Sequence, residues 1–126
     1  MAEIPHQSKH VIAAEQTGDT VVFRLKDDID LHTSPDLRTD ILGVLAKGDI
    51  KQLVLNLSAV PYVDSSAIAV MVEALQKLRK AGGKVFLTNL SPRVKGLLEI
   101  ARLDQIFSVV ASEADVVPSP GTPGES

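Results

Sequence analysis

One unit restricts the possible folds of this chain more than any other. An apolar run, Leu53-Val54-Leu55-Asn56-Leu57, leads through a short turn into a helical pattern that continues to about Lys80. Gly82-Gly83 then stops the helix, and Lys84-Val85-Phe86-Leu87-Thr88 reads as a second strand. Strand, helix and strand at this length form a right-handed crossover between parallel strands, which commits the chain to an α/β fold. The near-continuous apolar character of Leu53–Leu57 suits an interior parallel strand. The turn Tyr62-Val63-Asp64-Ser65-Ser66-Ala67-Ile68 lies where that strand feeds its helix, at the edge where open α/β sheets carry their sites.

Asp64, Ser65 and Ser66 are all good helix-start residues, because a short side-chain oxygen accepts from a free N–H of the first turn. The simplest reading is therefore a capped helix. Two details favour more. The helix opens Ala67-Ile68-Ala69-Val70-Met71-Val72, with no charge until Glu73, whereas an amphipathic surface helix shows a polar face by its second turn. Either those turns are buried all round or part of the apolar surface is kept for a partner. A serine hydroxyl at a helix start is also well placed to carry a phosphate, since the macrodipole stabilises the added charge.

Around this unit the chain reads in order. Residues 1–9 are polar, contain Pro5 and show no period, and are expected to form a flexible arm. Val11–Glu15 and Thr20–Leu25 flank Gln16-Thr17-Gly18-Asp19 as a β-hairpin that opens the sheet. Ser34-Pro35-Asp36 predicts a helix with Ser34 as N-cap and proline at the first helical position, ending at Gly48. Ser58-Ala59-Val60-Pro61 reads as a loop. Ser91-Pro92 repeats the helix start, with Val94, Leu97, Leu98 and Ala101 as the buried stripe and an end near Leu103. Ile106–Val110 is a last short strand, and a brief helix begins at Ser112-Glu113-Ala114. The expectation is a single domain over 10–117, with a mixed sheet of about five strands and packed helices. The Pro/Gly/Ser-rich segment 118–126 is expected to be disordered.

Composition narrows the function. A net charge of −3 offers no basic footprint for nucleic acid, and 3% aromatic residues give no platform for stacking bases. The absence of cysteine excludes disulfides and thiolate metal sites. No apolar run approaches membrane-spanning length and the N-terminus does not resemble a signal peptide, so a cytoplasmic protein is expected. His6, His10 and His32 fit no usual ligand spacing. Asp27, Asp28 and Asp30 lack the glycine and the following glutamate of a calcium loop. No metal or cofactor is therefore expected. As a nucleophile Ser65 would need a base, for which His32 is the only plausible residue. The nucleophile-elbow pattern and a glycine-rich phosphate loop are both missing. The chain is not expected to be an enzyme.

Val63-Asp64-Ser65-Ser66, with the strand before it and the turn Lys80-Ala81-Gly82-Gly83-Lys84 after it, resembles the STAS domain of the anti-sigma-factor antagonists. The likeness runs from about Val21 to about Val110. In that family the first serine after the aspartate is phosphorylated, and it matches Ser65, with Ser66 as the alternative. The segment before the first helix also matches, at Ile29, Asp30 and Thr33, with Asp27 where the family has glycine. Ala67 likewise replaces a family glycine, and the terminal helix of the family is curtailed here.

The resemblance implies a partner surface of Asp30, Thr33, Asp64, Ser65, Ser66, Ala67 and Val70. It implies as partner an anti-sigma factor with a serine-kinase fold, bound by the unphosphorylated protein so that a sigma factor is freed. Phosphorylation of Ser65 by that kinase ends binding, and a serine phosphatase restores it. Ser66, one residue deeper, is expected to point more toward the protein. The rival reading is a STAS interaction module of another assembly, such as a signalling scaffold or a lipid-transport complex, in which the serine is never modified.

Overall fold

The computed structural model describes residues 2–116. Six strands form one sheet in the order β1 (Ala2–Glu3), β2 (Val11–Thr17), β3 (Thr20–Lys26), β4 (Gln52–Ala59), β5 (Lys84–Thr88) and β6 (Ser108–Val110). The first three are antiparallel, whereas β3 to β6 pair in parallel. Three helices alternate with the parallel strands: α1 (Ser34–Leu45), α2 (Ser65–Lys80) and α3 (Pro92–Ile100). The β4–α2–β5 unit is the crossover expected from the apolar run and the double glycine.

Alternation sorts the sheet into two faces. Val21, Phe23 and Leu25 of β3, Leu53, Leu55 and Leu57 of β4, and Val85 and Leu87 of β5 share one buried cluster with the helices. The helices contribute Leu37, Ile41 and Val44 of α1, Met71, Ala74, Leu75 and Leu78 of α2, and Val94 and Leu98 of α3. Each of these side chains except the small Ala74 contributes about 1.5–3 kcal/mol on leaving water. Because one apolar cluster takes in all three helices, they pack on the same face. On the other face Arg24 binds Glu15 at 2.7 Å and Glu113 through two bonds of 2.9 Å, and Asn56 Nδ2 donates to Glu113. This network ties a 3-10 turn (Glu113–Asp115), where a brief helix was expected, onto the sheet.

Several expectations need correction. The N-terminal residues are not a loose arm: Ala2–Glu3 adds a sixth strand beside β2, and Ile4 is buried. The buried Asp40 carboxylate of α1 accepts from the backbone of Gln7 and Ser8, both at 2.8 Å, and so holds the segment against the domain. The N-cap position of α1 is Thr33, not Ser34, because Thr33 and Asp30 already form a turn: Ser34 N donates to Asp30 O at 2.8 Å. Ser58 and Ala59 continue β4, since Asp27 N extends the pairing to Ala59 O. α3 stops at Ile100, and Arg102 at φ 59° turns the chain into a 3-10 segment (Leu103–Gln105); Ala101 is exposed and the last strand begins only at Ser108. The tail 118–126 lies outside the described residues.

Candidate functional site

The site forms where β4 hands over to α2. Past the ends of β3 and β4, Ile29 and Val63 make an isolated parallel bridge, with Ile29 N donating to Tyr62 O and Asp64 N to Ile29 O, each at 3.1 Å. These bonds draw the β3–α1 loop alongside the Ser65 turn. Asp27 starts that loop at φ 63°, a left-handed conformation that glycine adopts freely and aspartate tolerates. The expected glycine-to-Asp27 replacement therefore falls where the backbone does need a permissive residue.

Asp64 is the N-cap of α2, extended at φ −100° and ψ −175°. Its Oδ1 accepts from Ser66 N at 2.9 Å and Ala67 N at 3.2 Å. The Ser66 hydroxyl donates to the same oxygen, and with the N–H groups of Ala67, Ser66 and Leu31 it holds the carboxyl below its usual range against the opposing effect of desolvation. Asp64 is thus a carboxylate near neutral pH, and it already occupies the N–H groups at the helix start.

The two serines differ sharply. Ser65, the first residue of α2, is exposed, and its hydroxyl has no hydrogen-bond partner among the described residues. Ser66 is half-buried, donates to Asp64 and accepts from the buried Ser34 hydroxyl at 3.1 Å. A chain of hydroxyls thereby joins the starts of α1 and α2, which a sequence reading of Ser34 as a cap missed. Asp30 and Thr33 are engaged within their own turn: Asp30 N donates to Thr33 Oγ1 at 2.9 Å, and His32 N donates to Asp30 Oδ1 at 2.9 Å. Among the described residues no base hydrogen-bonds Ser65.

Ala67 and Val70 stand differently from the expectation. Both are buried, at 2% and 5% exposure, and belong to the core cluster, so neither offers contact surface. Capping at Asp64 sets the helical phase, and Ala67, Val70, Met71 and Ala74 then fall on the sheet side. The apolar residues left outside are Ile68 and Val72, half-buried, and Ala69, exposed. A second feature was not legible as part of the site: the Arg93 guanidinium of α3 stacks on Tyr62 at 4.5 Å from the ring centroid.

The model of the STAS domain matches residues 11–116. The anti-sigma-B factor antagonist of Bacillus subtilis is 28% identical over 100 residues, covering 79% of this chain and 90% of the relative. An anti-sigma factor antagonist from Mycobacterium paratuberculosis superposes with a TM-score of 0.73 at 25% identity, over 81% of this chain and 86% of the other. The Bacillus cell fate determinant SpoIIAA in its phosphorylated form gives 0.66 at 24% identity, over 80% and 92%. With residues 11–116, most of its length, matched by the family model, the chain belongs to the STAS domain family.

Proposed function

We propose that this protein is an anti-sigma factor antagonist switched by phosphorylation of Ser65. The unphosphorylated form binds an anti-sigma factor of serine-kinase fold through the Ser65 turn and the β3–α1 loop, and so frees the sigma factor. The bound kinase transfers the γ-phosphoryl group of ATP to Ser65 Oγ; ADP leaves, and the hydroxyl proton passes to the kinase or solvent. A serine phosphatase then uses water to return the hydroxyl and release inorganic phosphate. The protein is a substrate in this cycle and acts in the cytoplasm.

The observation that carries this reading is the unequal state of the two serines. The Ser65 hydroxyl is exposed and uncommitted, whereas that of Ser66 is bound on both sides. Supporting it are relatives named as antagonists of anti-sigma factors and a neighbour of the same fold described in a phosphorylated form. Phosphate at Ser65 adds about −1.5 to −2 charges beside the Asp64 carboxylate, already an acceptor of the helix N–H groups. The helix dipole tolerates this charge, so the fold survives. A partner must instead desolvate a dianion next to acids, and binding suffers.

Calorimetry and mass spectrometry on parent, Ser65→Ala, Ser66→Ala and Ser65→Asp test this. Parent and Ser66→Ala should gain one phosphate from the kinase and ATP, and Ser65→Ala none. Ser65→Asp should melt within a few degrees of parent while binding at least tenfold more weakly, roughly 1.4 kcal/mol. Labelling lost only in Ser66→Ala, or equal binding by Ser65→Asp and phosphorylated parent alike, would sink the proposal.

A further inference from the structure

The β3–α1 loop displays a large apolar side chain, Leu31, with 69% of its surface exposed. A single exposed leucine is ordinary on a protein surface. This one is held in an unusual setting. Its backbone N–H faces the Asp64 carboxylate. On one side Asp30 is bound to Thr33 and to His32 N, and before it Ile29 is bridged to Val63. The loop is fixed on both flanks, so a contact made by Leu31 needs little further ordering of the chain. The Ile29–Val63 bridge and the bond from Asp64 N to Ile29 O set this loop beside the Ser65 turn, and acids stand at Asp28, Asp30 and Asp64.

We propose that Leu31 is the apolar anchor of the docking surface at Ser65, seated in an apolar pocket of the anti-sigma factor whose rim carries Lys and Arg. This rests on the function proposed above and adds the residue that supplies affinity. Interfaces concentrate their binding free energy in a few desolvated apolar anchors within a polar rim. The acids around Leu31 set the sign of that rim. The arrangement also accounts for how the switch acts: the loop that carries the anchor is bonded to the Ser65 turn, with Asp64 N donating to Ile29 O. A dianion on Ser65 therefore stands where the pocket must close over Leu31.

The test uses titration calorimetry of the full-length, unphosphorylated protein against the purified anti-sigma factor kinase of the same organism. Leu31→Ala should bind at least tenfold more weakly, and Leu31→Met within about threefold of parent. Both should melt within about 2 °C of parent, as the side chain is largely solvated. Ile100→Ala, which removes an 85%-exposed side chain at the end of α3, should bind as parent does. Raising salt should weaken parent and Leu31→Ala by the same factor, because the lost contact is apolar. Leu31→Ala binding within twofold of parent, while Ser65→Asp loses affinity, overturns the anchor and leaves the proposed function standing. A parent that does not bind the kinase overturns both.

Discussion

Gly83→Ala tests the part of the fold that delivers β5 after α2. Gly82 and Gly83 end the helix: Gly82, at φ 79°, donates to Arg79 O, and Gly83 N donates to Leu78 O at 2.6 Å. A Cβ on Gly83 would lie 2.4 Å from the Lys51 carbonyl oxygen, 3.1 Å from its carbon and 3.1 Å from Leu78 Cδ2. That is roughly 1 Å inside van der Waals contact with a backbone atom. The oxygen cannot easily retreat, because it also accepts from Lys84 N at 2.9 Å where β4 and β5 begin to pair. Overpacking costs about 1–3 kcal/mol and the disturbed strand bond about 1 more. Reduced freedom of the unfolded chain returns about 0.4–1. The net loss is about 1–3.6 kcal/mol, and at about 3–5 °C per kcal/mol for a domain of this size the midpoint should fall by roughly 3–18 °C. Two other glycines calibrate the result. Gly82→Ala meets no atom within 4 Å but forces a side chain into the left-handed region, at about 1–2 kcal/mol. Gly96→Ala, inside α3 and also free of neighbours within 4 Å, should be neutral or stabilising by about 0.5–1 kcal/mol. Calorimetric melting of the three variants should rank them Gly96→Ala, Gly82→Ala, Gly83→Ala, from most to least stable. If Gly83→Ala melted within about 2 °C of parent, the close approach to Lys51 would carry no weight.

Acid unfolding should report on Glu113. Hydrogen bonds from Arg24, then Asn56, hold its carboxyl below the usual range, against burial that raises it. The folded value lies below the unfolded one, so this stabilisation is present above the ordinary glutamate range and is lost as pH falls through the folded value. For a partly exposed pair this contribution is small, and Glu113→Gln should flatten the acid limb of urea-unfolding free energy as pH falls below the ordinary glutamate range; an unchanged slope would refute the pairing. Ala67→Gly restores the family glycine at a buried helical position, and should cost about 1 kcal/mol in urea unfolding. Its affinity for the anti-sigma factor should not rise, because the Cβ faces the sheet; a tenfold tighter complex would overturn that orientation.

The local elements were legible because their determinants lie within a few residues of one another. Alternation in Val21–Leu25, the apolar run Leu53–Leu57 and the cap at Asp64 each depend on neighbours in the chain. So does the stop at Gly82-Gly83, although the reason Gly83 in particular must lack a side chain, the Lys51 carbonyl, lies 32 positions away. The site divides in the same way. Its place one residue deeper in the helix suggested that Ser66 turns inward, but its acceptor role toward Ser34 arises only when α1 and α2 start side by side. The N-terminal segment was misjudged for the same cause: among its described residues the buried apolar one is Ile4, and the carboxylate that fixes its backbone, Asp40, sits on α1. Periodicity and capping are properties of a short window of sequence. Which hydroxyl is bound, which apolar residue stays wet and which carboxylate meets a distant N–H are decided by the pairing of β3 with β4, which brings those windows together.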